Sequence, residues 1–169
     1  MTDKNKEWNL FWGSPMKVKD VMNPDVVFCK PENTVREAAK ILKENNISGA
    51  PVLEDGKLVG IVSEADLLEL LVIPEKGNLW LPSPFEIIEV PIRELLSWEE
   101  TKKMLSDVGS TKLEEMMTKS VHTISSEASV EEASELMVRH RINRLPVIEN
   151  GYVVGIVTRG DIIEGLAKL

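Results

Sequence analysis

Two strings in this chain, Ser63-Glu-Ala-Asp66 and Thr158-Arg-Gly-Asp161, set a hydroxyl three positions ahead of a carboxylate. An ionised carboxylate accepts hydrogen bonds and donates none, which suits the paired 2′ and 3′ hydroxyls of a ribose. The same spacing is also a capping box, in which hydroxyl and carboxylate hold the first turn of a helix. Spacing alone leaves both readings open. Each string follows an apolar β-rich run, Leu58 to Val62 or Val153 to Val157, and opens a helical pattern. At such a junction the first N–H groups of the helix and the positive end of its dipole point outward, a setting that favours an anion or a ribose.

A second group of candidates is basic. Arg139, His140, Arg141 and Arg144 crowd one stretch, and Arg159 stands beside the Thr-x-x-Asp string. The chain as a whole carries a formal net charge of −8 with a pI near 4.9, so this cluster is where a phosphate could be neutralised. The planar guanidinium fork matches phosphate oxygens, and Arg144 is the preferred candidate. Arg139 and Arg141 also read as solvated residues at the negative end of a helix. The acidic balance speaks against coating nucleic acid. With one cysteine and only His122 and His140, no zinc-like ligand set can be assembled. Cys29, in the run Val26-Val-Phe-Cys29, reads as a small buried hydrophobe. No Gly-x-Ser-x-Gly elbow, phosphate-binding Gly-x-x-x-x-Gly-Lys loop or Gly-x-Gly-x-x-Gly fingerprint occurs. The expectation is a non-catalytic protein without a required cofactor or metal.

The elements that must position these groups occur twice. Residues 21–69 align on residues 116–164 at a constant offset of 95, with identities that include Met22/Met117, Pro51/Pro146, Gly56/Gly151, Gly60/Gly155 and Asp66/Asp161. Each copy begins with a short apolar strand, Val26 to Cys29 or Val121 to Ile124. Thr34-Val-Arg-Glu37 and Ser129-Val-Glu-Glu132 then open a helix as capping boxes. Val35, Ala38 and Leu42, with Val130, Ala133 and Met137, keep the 3.6-residue period of its buried stripe. Two β-rich runs follow, joined by Asp55-Gly56 or Asn150-Gly151, residue pairs that tolerate the positive φ of a type I′ turn. Units of roughly 50 residues bury too little surface to stand comfortably alone, so the two should pack on each other.

The strings Ile47-Ser-Gly-Ala-Pro51-Val, Gly60-Ile-Val-Ser63-Glu-Ala-Asp66, Ile142-Asn-Arg-Leu-Pro146-Val and Gly155-Ile-Val-Thr158-Arg-Gly-Asp161 resemble motifs of the cystathionine-β-synthase-type (CBS) domain. The resemblance implies an α/β (α+β) fold, with two β-α-β-β-α repeats packed as a quasi-two-fold Bateman-type module and an inserted linker. It also implies a regulatory role in which AMP, ADP, ATP or an S-adenosylmethionine-like ligand is bound between the repeats. A regulated protein partner and a homodimer come with it. By resemblance Ser63, Asp66, Thr158 and Asp161 serve ribose and phosphate. Ser48, Gly49, Ala50 and Pro51, with Asn143, Arg144, Leu145 and Pro146, flank the purine and reach toward its phosphates. In nucleotide-sensing members of the family a His-Arg pair contacts phosphate; Asn143 stands in the histidine's place, so that role transfers to Arg144 alone. His140, Arg141 and Arg159 remain further phosphate candidates. Their counterparts in the first repeat are Asn45, Asn46 and Glu64, and Arg144 answers to Gly49, so the two clefts should be unequal. The alternatives are a sensor of S-adenosylmethionine or methylthioadenosine, or a protein-interaction scaffold with unoccupied clefts.

The expected organisation is an extension at 1–17, repeat 1 at 18–71, an insertion at 72–112 and repeat 2 at 113–169. The insertion holds Trp80, Phe85 and a helix-like stretch from Ile92 to about Asp107; it reads as a flap on the sandwich, a lid or a docking surface. Trp8, Leu10, Phe11 and Trp12 cluster ahead of Pro15, to be buried in a dimer interface or on their own chain. No apolar run approaches a membrane span and the N-terminus lacks a signal-like core, so the expected location is cytoplasmic.

Overall fold

The computed structural model of the protein describes residues 16–70, 78–82, 87–91 and 98–168. Among these the elements run α1 (Val18–Val21), α2 (Val35–Glu44), β1 (Gly49–Glu54), β2 (Lys57–Ser63), α3 (Glu64–Glu69), β3 (Asn78–Pro82), β4 (Ile87–Pro91), α4 (Trp98–Ser110), α5 (Leu113–Met116), α6 (Val130–His140), β5 (Arg144–Glu149), β6 (Tyr152–Thr158) and α7 (Arg159–Leu166). The strands form three two-stranded sheets, β1–β2, β3–β4 and β5–β6.

The duplicated part folds as its local chemistry dictates. At the start of α2, Thr34 N donates to Glu37 Oε2 (2.8 Å) and Glu37 N to Thr34 Oγ1 (3.3 Å), the reciprocal bonds of a capping box. Ser129 caps α6 through Glu132 N at 3.1 Å. Both hairpin turns take left-handed conformations, with φ of 49° and 77° at Asp55 and Gly56 and of 51° and 84° at Asn150 and Gly151. That twist matches the flanking strands.

The expected opening strands are a correction. Residues 26–28 and 121–123 pair with no strand, and each run is joined to its sheet by a single parallel bridge, Cys29 to Val52 and Ile124 to Val147. Cys29 N donates to Pro51 O (3.0 Å) and Ile124 N to Pro146 O (3.1 Å). The next bond back along each ladder would need an N–H from Pro51 or Pro146, and proline has none.

In space the chain gathers into two compact units, one of residues 1–28, 53–59 and 120–169, the other of residues 29–52 and 60–119. The first has a core of Val18, Ile124, Val130, Ala133, Met137, Leu145, Val147, Val157 and Ile162. Asn23 closes an antiparallel bridge with Ile156 through a reciprocal bond pair of 2.8 and 2.9 Å. A Cβ on Gly155 would stand 2.6 Å from Met22 Sδ, so glycine lets this methionine lie directly on β6. In the second unit Cys29, Val35, Leu42, Val52, Val62 and Leu113 are buried. There Thr118 bridges Ile61 (3.0 and 3.1 Å), and Met117 lies on Gly60, where a Cβ would collide with Sδ. The opening stretch of each repeat thus bridges to the hairpin of the other. Met22, Met116 and Met117 are half-buried, in keeping with packing across the repeats.

The insertion contains an antiparallel hairpin, with Trp80 opposite Glu89 and Leu81 opposite Ile88. The helix expected from Ile92 is present from Trp98 and runs to Ser110, three residues past Asp107; residues 92–97 and Phe85 lie outside the described residues, as does the Trp8 to Trp12 cluster. No helix among the described residues is long and apolar enough to cross a membrane.

Candidate functional site

Each Ser/Thr-x-x-Asp string sits where its hairpin's second strand becomes a helix. Ser63 and Thr158 are N-caps in extended conformation, with φ of −129° and −115°. Ser63 N and Ser63 Oγ both donate to Asp66 Oδ2, each at 2.7 Å, and Asp66 N donates back to Oγ at 3.4 Å. Thr158 and Asp161 repeat this with 2.7, 2.7 and 3.3 Å. Both donors converge on Oδ2, so Oδ1 of each carboxylate stays outside the cap. All four residues are half-buried. Because the hydroxyl proton is directed into the carboxylate, each pair presents acceptors outward and suits a hydroxyl-bearing ligand better than a phosphate.

The loop before each first hairpin strand is tied to this cap. Glu64 N, the first helical residue of α3, donates to Ser48 O (3.0 Å), and Arg159 N of α7 donates to Asn143 O (3.1 Å). Sheet register then sets Arg144 directly across from Thr158. The structure therefore gathers Asn143, Arg144, Thr158 and Asp161 at one end of β5–β6, and Ser48, Ser63 and Asp66 at the matching end of β1–β2. Ser48 and Asn143 are exposed, whereas Gly49, Ala50, Pro51, Leu145 and Pro146 are buried. Contact with a ligand from those five positions would run through the main chain.

The basic residues have diverse placements. Arg144 is 9% exposed at the start of β5. Arg159 donates from Nε to Ile142 O (3.1 Å) and from Nη2 to Met137 O (3.3 Å), satisfying carbonyls at and just beyond the C-terminal turn of α6. Arg141 is the left-handed C-cap of α6, with φ 55° and ψ 37°, and Asn46 holds the matching conformation after α2 with φ 53°. Arg139 pairs with Glu135. His140 stacks on His122 with ring centroids 3.7 Å apart. Of the cluster, then, Arg144 stands across the strand from the capping Thr158, and Arg159 flanks that cap with its guanidinium on α6.

Sequence reasoning missed one contact near these elements. Glu127 takes hydrogen bonds from Lys17 Nζ (2.5 Å) and Lys19 Nζ (2.6 Å), which hold its carboxyl down at about 2 and fasten α1 beside the second repeat. The close approach of Met22 and Met117 to β6 and β2 had a signal, an identical glycine inside each strand. Cys29 is fully buried, and that burial pushes its thiol up to about 11, as fits a small core hydrophobe. Among the described residues no group of three or more His, Cys, Asp or Glu side chains could hold a metal ion.

The CBS domain profile matches this chain twice, over residues 18–73 and 113–168. The chain belongs to the CBS domain family. An uncharacterized protein of Methanocaldococcus jannaschii is 41% identical to it over 157 residues, covering 91% of this chain and 93% of that one. The chloroplastic CBS domain-containing protein CBSX1 of Arabidopsis thaliana is 33% identical over 147 residues, covering 86% of this chain and 61% of the relative. Among solved structures, CBSX2 of Arabidopsis thaliana in complex with AMP superposes with a TM-score of 0.66 at 27% identity, over 90% of this chain and 97% of that one. The CBS domain pair of protein MJ0100, in complex with 5′-methylthioadenosine and S-adenosyl-L-methionine, gives 0.66 at 25% identity, over 91% and 98%. The α+β architecture of paired CBS repeats is that of this chain, and its two capped strand-to-helix junctions fall within the matched CBS segments.

Proposed function

We propose that this CBS pair is a non-catalytic regulatory module that binds an adenine nucleotide or adenosyl ligand, with Asp66 or Asp161 accepting the ribose hydroxyls. One observation carries the reading: each half-buried capping Asp commits Oδ2 to its helix, so its Oδ1 is left as an acceptor outside the cap at both equivalent junctions. Complexes of CBS-pair relatives with AMP and with methylthioadenosine and S-adenosylmethionine support the ligand class. The second junction takes the phosphates, since Arg144 lies across from Thr158 there; the first, with Gly49 at the equivalent position, takes the uncharged part of an adenosyl ligand. Ligand binding would favour one conformation of the module, and a partner protein that distinguishes conformations would respond by linkage.

A thermal-shift screen against AMP, ADP, ATP, S-adenosylmethionine and methylthioadenosine tests this. A ligand at 100 times its Kd adds about 2.7 kcal/mol, which for a chain of this size is a rise of roughly 5–10 °C. Unchanged melting with all five refutes the reading and leaves a protein-interaction scaffold.

A further inference from the structure

Histidine is the side chain that ordinarily takes up its charge near neutrality, and this chain has only two, His122 and His140. The Cys29 thiol, pushed up to about 11, does not join them. One histidine belongs to the opening run of the second repeat and the other to the last turn of α6, yet their rings meet, with centroids 3.7 Å apart and planes 27° from parallel. Both residues are exposed, so protons reach the pair freely. The histidine chemistry of the whole chain is gathered at a single contact.

That contact ties down a stretch with little else to hold it. Residues 121–123 pair with no strand, and the backbone joins β5 at Ile124, where Ile124 N donates to Pro146 O (3.1 Å) and Ile148 N to Ile124 O (2.9 Å). The stacked rings add a side-chain tie from this run to the end of α6. Because the bridge between Ile124 and Val147 is parallel, the run lies toward the end of β5 that begins with Arg144.

One charged ring suits the stack, since an imidazolium can lie on a neutral ring and stands here at the negative end of α6. A second would face the first at 3.7 Å, well inside the Debye length of about 8 Å at physiological salt, so ions screen the repulsion little. The other cations on the elements that meet there add to it. Arg139 and Arg141 flank His140, Arg144 opens β5, Lys119 precedes the run, and Arg159 of α7 reaches Met137 O and Ile142 O. The carboxylates of these elements are placed elsewhere. Glu135 pairs with Arg139, Asp161 caps α7, Glu164 pairs with Lys168, Glu127 takes Lys17 and Lys19, Glu149 takes Ser126, and Glu131 and Glu132 lie at the far end of α6.

The first repeat has the same run without the pair. Under the offset of 95, His122 and His140 answer to Val27 and Asn45, neither of which ionises, and Asn45 Nδ2 turns back to Ile41 O (2.8 Å). Cys29 N still donates to Pro51 O (3.0 Å), as Ile124 N does to Pro146 O.

We propose that the stack of His122 on His140 is a proton-sensitive latch, which ties the opening run of the second repeat to α6 while at most one ring is charged and opens as acid charges both. An imidazole ordinarily takes its proton at about pH 6.5, so the latch is closed above about pH 7 and open below about pH 6. Opening loosens the run beside the start of β5, and the first repeat does not respond.

Amide hydrogen exchange in the full chain, corrected for the intrinsic effect of pH on exchange, tests this at Ile124 and Ile148. From about pH 7.5 to about pH 5 their corrected rates should rise roughly fivefold or more, the factor that two unit charges about 4 Å apart are worth in water, while the Cys29 amide stays unchanged. His122→Phe and His140→Phe, at exposed positions, each keep a ring in the stack and remove one charge, so their rates should stay slow across the range. In the wild type the nuclear Overhauser contact between the two imidazoles should also vanish in acid. A wild type whose rates do not rise overturns the proposal, as does an equal rise in the phenylalanine variants or at Cys29. An Overhauser contact that persists at the acid end overturns it without recourse to any variant. None of these measurements involves a ligand, so failure here is distinct from failure of the proposed function.

Discussion

Asp161→Asn separates the capping role of the second junction from its proposed role in binding. In the wild type, Thr158 N and Oγ1 both donate to Asp161 Oδ2 at 2.7 Å. The asparagine carbonyl can accept the same two bonds, which places the amide nitrogen where Oδ1 was and presents donors in place of an acceptor. The cap then keeps its geometry and loses the attraction between a carboxylate and a helix N-terminus, about 0.3–1 kcal/mol. A chain of this size melts roughly 2–4 °C lower per kcal/mol, so the expected fall is about 1–4 °C. Binding should suffer far more. A ribose hydroxyl would lose a bond to a charged acceptor, about 1.5–3 kcal/mol, or roughly 10- to 150-fold in Kd. Titration calorimetry with the ligand that shifts the wild type most, beside melting without ligand, reads both effects. Asp161→Ala should lower stability by about 1 kcal/mol as the carboxylate half of the capping box is lost and should bind no better than the asparagine variant. If both variants bind like wild type while their stabilities fall in this order, the carboxylate caps a helix and does nothing for a ligand.

Two further perturbations probe the fold. Gly155→Ala would drive a Cβ to 2.6 Å from Met22 Sδ and 3.3 Å from Asn23 O, so it should cost about 1–3 kcal/mol in urea unfolding. Adding Met22→Ala should recover part of that loss, a coupling that strictly additive effects would disprove. The Cys29 thiol, raised from 9.0 to about 11 by burial, keeps its proton longer in the folded state. Its contribution is therefore whole below about pH 9 and is lost as pH rises toward 11, on the order of 3 kcal/mol at most. Urea midpoints from pH 8 to 11 should fall faster for wild type than for Cys29→Ala, and parallel profiles would show that the thiol does not titrate with unfolding.

The duplicated core was legible because each of its signals spans only a few residues. Thr34 and Glu37 need only each other to cap α2, and Asn150-Gly151 needs only its own φ preferences to turn a hairpin. The particular glycines that Met22 and Met117 meet were hidden for the opposite reason. An offset of 95 pairs Met22 with Met117, its counterpart, whereas the contact that matters joins Met22 to Gly155 and Met117 to Gly60. Periodicity reports local geometry and says nothing of which distant surface a segment will meet. The lost opening strands were readable in principle, since Pro51 and Pro146 stood in the sequence where a ladder needed an N–H. The β3–β4 hairpin had no Asn-Gly or Asp-Gly signal to mark its turn.

At the candidate site the sequence left open whether Ser-x-x-Asp and Thr-x-x-Asp hold a helix or a ligand, and the geometry makes these compatible rather than rival. A carboxylate has two oxygens, and the cap uses one. The bonds that fix Oδ2 also fix the plane of the carboxylate, so the direction of Oδ1 is settled before any ligand arrives and little side-chain freedom is left to lose on binding. Serine and threonine fill the same role because only the hydroxyl is needed, and the two junctions differ where the cap does not constrain them, with Gly49 and Glu64 at the first and Arg144 and Arg159 at the second. Under the proposed function, a common acceptor with unlike surroundings would give two sites of related but unequal ligand preference.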